Sequence, residues 1–319
     1  EVGIMKGFML IDGNSLGHYY NNSKTLTIGS LQVQAVFGML RGVRSLIATF
    51  PTLKPVVIWD GASWRKISFP TYKENRERSE TENERKLLAA RDEYKKQRPL
   101  IEGAFRLLGI PQVSAFNMEA DDLGAIMTDR YVALGHSILL VTIDQDWLQL
   151  VGPKVSWKDV ANKRLITASN FEEFTGVKDA KQFVELRDLV GDVGDNVPGI
   201  GGIGLKGAKD FLAQYGSVEA FLNEAILEKS IDIKKLPKKF RALVEDEEKA
   251  INFRRNVNLV DLRTPMRPAP INLRIDQGQP DRERFEALCE KLLFRSILQD
   301  LDEWLSSFPA FREQQTMAA

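Results

Sequence analysis

The 319-residue chain has one cysteine, Cys289, and two histidines, His18 and His136. A single cysteine cannot make an internal disulfide, and its place in the apolar pattern FEALCEKLLF makes it core filler. So few histidines argue against a histidine-rich zinc site and leave carboxylates as the ligands available to a hard cation. No apolar run approaches the roughly 20 residues needed to span a bilayer, and no secretory leader is visible. The expectation is a cytoplasmic protein without membrane association. Net charge is missing too, because 44 basic residues balance 44 acidic ones. That balance averages unlike regions. Nine acids fall in the short clusters described below, and setting them aside leaves 44 basic against 35 acidic residues. Such an excess can attract a polyanion once cations neutralise the cluster.

Three short apolar runs are present instead. Residues 8–11 end in Asp12, 55–59 (PVVIW) in Asp60, and 138–143 (ILLVTI) in Asp144. Continuous apolar runs read as strands buried on both faces of a parallel sheet. Helical periodicity over 29–50 separates the first two. A helix ending near Leu108, a strand at 112–115 and a helix at 120–134 separate the second from the third. This alternation predicts an α/β layer with right-handed crossovers. Open α/β sheets bind ligands at the carboxyl edge of their strands. One terminal aspartate there is ordinary turn chemistry; three on one edge are harder to assign to turns.

More acids arrive at the same side. Glu119, Asp121 and Asp122 lie in MEADDLGA, Asp146 follows Asp144 in TIDQDWLQLV, and Asp192 and Asp195 lie in GDVGDNVPGIGGIGLKGA at 191–208. Taken singly, Glu119 or Asp122 reads as a helix cap. Together, nine carboxylates would repel one another unless divalent cations neutralised them, and magnesium or manganese suits all-oxygen sites. The 191–208 stretch then passes into a glycine turn where backbone must approach something closely. Backbone N–H groups of the helix opened near Gly204 would face an anion there, and Lys206 adds a full charge. Alone, the segment reads as a helix–turn–helix with aspartate caps. A cation site running into a phosphate site points to work on a phosphodiester.

Residues 64–98 carry eleven basic and seven acidic residues, with hydrophobics too sparse to make a core. Such runs are solvated helix faces or flexible loops. Tyr72 interleaved with Lys73 and Arg76 also suits a single-stranded backbone and its bases. Downstream, the pattern predicts strands near 155–157 and 164–166, a capping box from Ser169 to Glu172, and a helix over 180–190 carrying Arg187. Helices at about 205–215, 218–227 and 238–255, a proline-rich connection at 264–270 and a helical pattern over 282–308 complete the chain. Residues 1–4, which precede Met5, are set aside from fold reasoning, and the tail to Ala319 is expected to fray.

IDGNSL at 11–16, WDG at 59–61, FPTYKENR at 69–76, MEADDLGA at 118–125, TIDQDWLQLV at 142–151 and the 191–208 stretch occur in an order that resembles the 5′-nuclease (flap endonuclease) superfamily. The likeness is to bacteriophage 5′–3′ exonucleases and to the 5′-nuclease domain of bacterial DNA polymerase I, and runs from about residue 6 to 263. ALCEKLLFRSIL at 287–298 looks like that domain's closing helix. The resemblance implies a PIN-like, mostly parallel sheet flanked by helices (residues 6–180), with a helical arch at about 64–98. It also implies a helix–hairpin–helix DNA-binding subdomain (181–263) and a C-terminal helical extension packing on the core (264–319).

On this resemblance Asp12, Asp60, Glu119, Asp121, Asp122, Asp144, Asp146, Asp192 and Asp195 fall on acidic positions holding two magnesium or manganese ions. Lys73 and Arg76 match a catalytic basic pair facing the scissile phosphate. Arg187, Gly199, Gly201, Gly202, Gly204 and Lys206 fall at DNA-contacting places, with a potassium ion held by backbone carbonyls of the turn, and Tyr72 joins them as a DNA contact on its interleaving with Lys73 and Arg76. Tyr19 stands where the family commonly has an arginine. The implied activity is two-metal hydrolysis of DNA at 5′ ends, flaps and single/double-strand junctions by a monomer. Two rivals stay open: a PIN-like ribonuclease or RNase H-type nuclease acting on RNA–DNA hybrids, and a non-catalytic DNA-junction binding protein. A phosphatase fits less well, because Gly13 and Asn14 follow Asp12 where an Asp-x-Asp pair would be expected.

Overall fold

A single sheet of seven strands organises the protein, described over residues 6–312 in this computed structural model. The strands are β1 (Gly7–Asp12), β2 (Leu53–Trp59), β3 (Gln112–Ser114), β4 (Ser137–Val141), β5 (Val155–Asp159), β6 (Arg164–Ile166) and β7 (Arg274–Asp276). Their spatial order is β7-β3-β2-β1-β4-β5-β6. The five inner strands pair in parallel and the two outer ones antiparallel. The long helices are α1 (Gly13–Asn21), α2 (Gln34–Thr49), α3 (Glu82–Leu107), α4 (Ala120–Ala133), α5 (Ala180–Val190), α6 (Leu205–Tyr215), α7 (Glu247–Val260) and α8 (Arg282–Lys291). Among the described residues no helix is long and apolar enough to cross a membrane.

Because side chains alternate along a strand, the apolar runs feed two cores. Leu10, Val56, Ile58 and Leu140 face a layer that includes Leu123 of α4 and continues to Phe183, Phe211 and Phe240 of the helical region. Met9, Ile11, Val57, Trp59 and Val141 face α2, the C-terminal half of α3, and the end of the chain, where Phe285, Cys289, Trp304 and Phe308 are buried. Cys289 is indeed interior, and burial pushes its thiol up to about 12.

Several boundaries differ from the sequence pattern. The helix expected from residue 29 begins at Gln34, because Thr27–Ile28 and Leu31–Gln32 pair across a turn in which Gly29 has a φ of 58°. The helix expected over 238–255 breaks at Asp246, whose carboxylate caps the N–H of Lys249 and starts α7. The Ser169–Glu172 capping box does not form. Asn170 instead accepts the Thr167 N–H at 2.7 Å and precedes a helix of five residues. The charge-dense 64–98 run is also better anchored than its composition implies: Trp64, Tyr72 and Tyr94 are all buried. The tail expected to fray lies mostly outside the described residues.

Candidate metal centre and nucleic-acid interface

The sheet delivers its acids to one edge through short turns held by side-chain hydrogen bonds. Asp12 ends β1, caps α1 by accepting the Ser15 N–H at 2.9 Å, and accepts the Thr142 hydroxyl at 2.9 Å. Asp60, one residue past β2, accepts from Asn14 Nδ2 at 2.7 Å and from the Ala120 N–H at 2.7 Å, which ties the start of α4 to the same place. Trp147 Nε1 donates to Asp121 at 2.9 Å, and the Asp146 N–H donates to Asp144 at 2.9 Å. On the far side a two-residue ladder, Gly191–Asp192 with Val197–Pro198, folds back so that Asp192 and Asp195 face Asp146. One carboxylate oxygen from each of these three lies within 4.8 Å of the others.

Burial and mutual repulsion show in the acidities. Burial first, then Asp60 and Asp144, pushes Asp12 up to about 8. Burial and Asp144 push Asp146 up to about 7. Asp60, Asp121 and Asp144 are raised by burial and by neighbouring carboxylates, so these acids belong to one interacting set. Asp146 Oδ1 is buried without a hydrogen bond among the described residues, misaligned on an ion-paired Arg187 2.8 Å away. A set of oxygen donors that repel one another and are incompletely bonded fits divalent cations.

Asp122 does not belong to that set. It is 0% exposed and gripped by both terminal nitrogens of the Arg65 guanidinium at 2.9 and 3.0 Å and by Trp64 Nε1 at 3.1 Å. With no exposed surface and both oxygens engaged, Asp122 orients Arg65. Arg65, only 1% exposed, also reaches Glu119 at 3.1 Å and the Leu259 carbonyl at 2.7 Å. Burial opposes charge on Glu119, but Lys73 and Arg65 outweigh it and hold the carboxyl down at about 2.

Three of the four cations assigned to nucleic acid lean onto the acids. Lys73 pairs with Glu119 and lies 3.5 Å from Asp195, Arg76 pairs with Asp195, and Arg187 pairs with Asp146 and Asp192. Tyr72 is a correction: it is 3% exposed, its hydroxyl donates to Asp195 at 2.8 Å, and its ring packs with Val197, Leu259 and Val260. No face of that ring is left for a base. The ring of Tyr19 stands edge-on to Tyr20, 5.1 Å away.

The glycine turn has the conformation its composition implies. Gly201 and Gly202 have φ of 82° and 80°, and a Cβ on Gly199 would lie 2.3 Å from the Val190 carbonyl oxygen. Gly204 caps α6, and Lys206 stands exposed in its first turn. Two lysines that the sequence did not single out complete the turn. Lys249 Nζ donates to the Gly201 carbonyl at 2.8 Å, and Lys239 Nζ lies 2.7 Å from where a Cβ on Gly207 would be. Lys249 had one local signal, its place three residues after the Asp246 cap. Arg65 had none, since its partners lie more than fifty residues away.

Comparison with known proteins agrees with this layout. Residues 7–176 match the family model described as 5′-3′ exonuclease, N-terminal resolvase-like domain, and 178–281 match its C-terminal SAM fold. A 5′-3′ exonuclease of Aquifex aeolicus is 28% identical over 94% of this chain and 96% of its own length. The thermostable DNA polymerase I of Thermus thermophilus is 28% identical over 92% of this chain, which spans only 33% of that polymerase. A likeness of fold extends to the bacteriophage T5 flap endonuclease in complex with DNA and metal ions, with a TM-score of 0.63 and 23% identity over 97% of this chain and 100% of that one. The two family models divide the chain where the acidic sheet gives way to the helical region bearing the glycine turn, and on that correspondence it belongs to the 5′-3′ exonuclease family.

Proposed function

We propose that this chain hydrolyses DNA phosphodiesters at 5′ ends, 5′ flaps and single/double-strand junctions, as a monomer in the cytoplasm, with magnesium or manganese at two positions. The observation that carries the reading is the interacting set of buried and half-buried carboxylates at the sheet edge, next to a turn whose backbone can meet phosphate. Asp12, Asp60, Glu119 and Asp121 are assigned to the tighter cation, and Asp144, Asp146, Asp192 and Asp195 to the second. Bound there, divalent cations supply an acidic water and offset charge on the phosphoryl oxygens.

The chain's own residues do the rest. Asn14, Thr142 and Trp147 orient the carboxylates from behind. Lys73, Arg76 and Arg187 occupy the acids that cations would take, so filling the centre releases three positive groups toward a phosphate. Gly199, Gly201, Gly202, Gly204 and Lys206 are assigned to the duplex backbone. The potassium ion implied by the resemblance would share the turn with Lys249, whose ammonium already bonds Gly201. We therefore assign the turn's charge to the chain itself.

A 5′-labelled flap incubated with magnesium or EDTA tests the activity, beside labelled RNA and an RNA–DNA hybrid. Magnesium-dependent release of short 5′ DNA fragments is expected. Cleavage of the hybrid alone would favour the ribonuclease, and tight junction binding without product would favour a binding protein.

A further inference from the structure

A second cleft, of about 260 Å³, lies between α3 and the β2-β3-β7 side of the sheet. Arg98, Glu102 and Arg106 recur at helical spacing along one face of α3, and Pro99 and Gly103 lie beside them on the same wall. Proline and glycine are the two residues that most disfavour a helix interior. Packing does not call for the glycine, since a Cβ on Gly103 would meet nothing within 4 Å. The helix runs through both unbroken, and the missing side chain at Gly103 leaves a notch in this wall.

Three guanidinium groups line the cleft, and Arg98 is the one held firmly in place. Arg98 pairs with Glu102 at 2.7 Å, donates to the Asp60 carbonyl at 3.2 Å and lies 5.0 Å over the Trp59 ring. Arg106 lies 3.7 Å from Asp276 across the cleft. Arg274, on β7, has no ion pair among the described residues. Three guanidiniums face two carboxylates, and planar forks suit phosphate oxygens. Arg98 also fastens the cleft to the backbone of Asp60, one of the acids at the sheet edge.

We propose that this cleft seats a backbone phosphate of the single-stranded arm of the substrate, at a site separate from the scissile phosphate. This rests on the nuclease reading above. The shared chemistry is phosphate on paired guanidiniums, and a free nucleotide is the other source.

The test measures binding of a labelled 5′-flap duplex and of the same duplex without its flap, with calcium replacing magnesium. The double variant Arg106→Ser/Arg274→Ser should weaken flap binding roughly tenfold and lower the salt slope by about one, leaving the flapless duplex unchanged. Gly103→Leu fills the notch with every charge intact and should weaken flap binding similarly, while turnover at saturating DNA stays at the wild-type rate. Inorganic phosphate and a mononucleotide should compete only weakly. Unchanged flap affinity in the double variant overturns the proposal. So does equal loss on both duplexes, a loss confined to the arginine variant, or tight competition by a free nucleotide. Failure of the wild-type protein to bind either duplex would instead bring down the nuclease reading with it.

Discussion

The acidic pocket and the glycine turn meet at Gly191 yet are stabilised in opposite ways. In the pocket, like charges are buried and forced together, and the fold tolerates this because Arg65, Lys73, Arg76 and Arg187 are drawn in against them. At the turn there is little to repel. Its binding groups are backbone N–H donors, exposed beside lysines that touch carbonyls and open space. The pocket therefore stores electrostatic stress that a ligand relieves, whereas the turn is preformed and gains only by adding contacts.

The contrast is sharpest in the chemistry. Asp144→Asn should keep the fold and DNA affinity but lose turnover on the order of a thousandfold in single-turnover cleavage. Retained turnover would mean that the pocket's charge is structural. Next in size is Arg65→Met, which strands Asp122 and Glu119 without their shared cation. It should cost about 3–5 kcal/mol in urea unfolding, whereas Lys206→Ala should leave the unfolding midpoint unmoved. Equal effects on stability would erase the difference between the two regions.

A smaller effect is expected from pH. Asp12 and Asp146, raised to about 8 and about 7, hold protons in the fold that the unfolded chain has already released above its ordinary carboxylate pKa. Stability of the metal-free protein should therefore fall as pH rises from about 4 to 8. Glu119, held at about 2, works the other way only below about 4.5. Melting in EDTA should drop over pH 5 to 8, and the rise in Tm on adding magnesium, several degrees, should grow over the same range. A magnesium effect independent of pH would refute stored repulsion. The smallest effect belongs to the turn: Lys249→Met should weaken duplex binding several-fold and make it stronger in potassium than in tetramethylammonium chloride at equal ionic strength. Wild-type binding that already prefers potassium would return the turn's charge to a bound ion.

The parallel strands and their terminal aspartates were legible because run length and a following acid are local properties of the chain. The role of Asp122 is hidden for the opposite reason. It sits in the same motif as Glu119 and Asp121, and what sets it apart is its bond to Arg65, reached only through the tertiary fold. Tyr72 failed likewise, since its neighbours Val197 and Leu259 come from the helical region. Strand β7 is three residues long and gains its identity from Ile275 lying opposite Val113, a pairing no periodicity announces.

That last strand has a topological consequence. The chain leaves the sheet after β6, builds the whole helical region, and returns to the opposite border at β7 before ending on the Met9 face through Phe285 and Trp304. The helical region is thus an excursion moored at both ends. A single proteolytic nick within it leaves two fragments that still share one sheet, whereas truncation ahead of β7 bares the Val113 border to foreign strands.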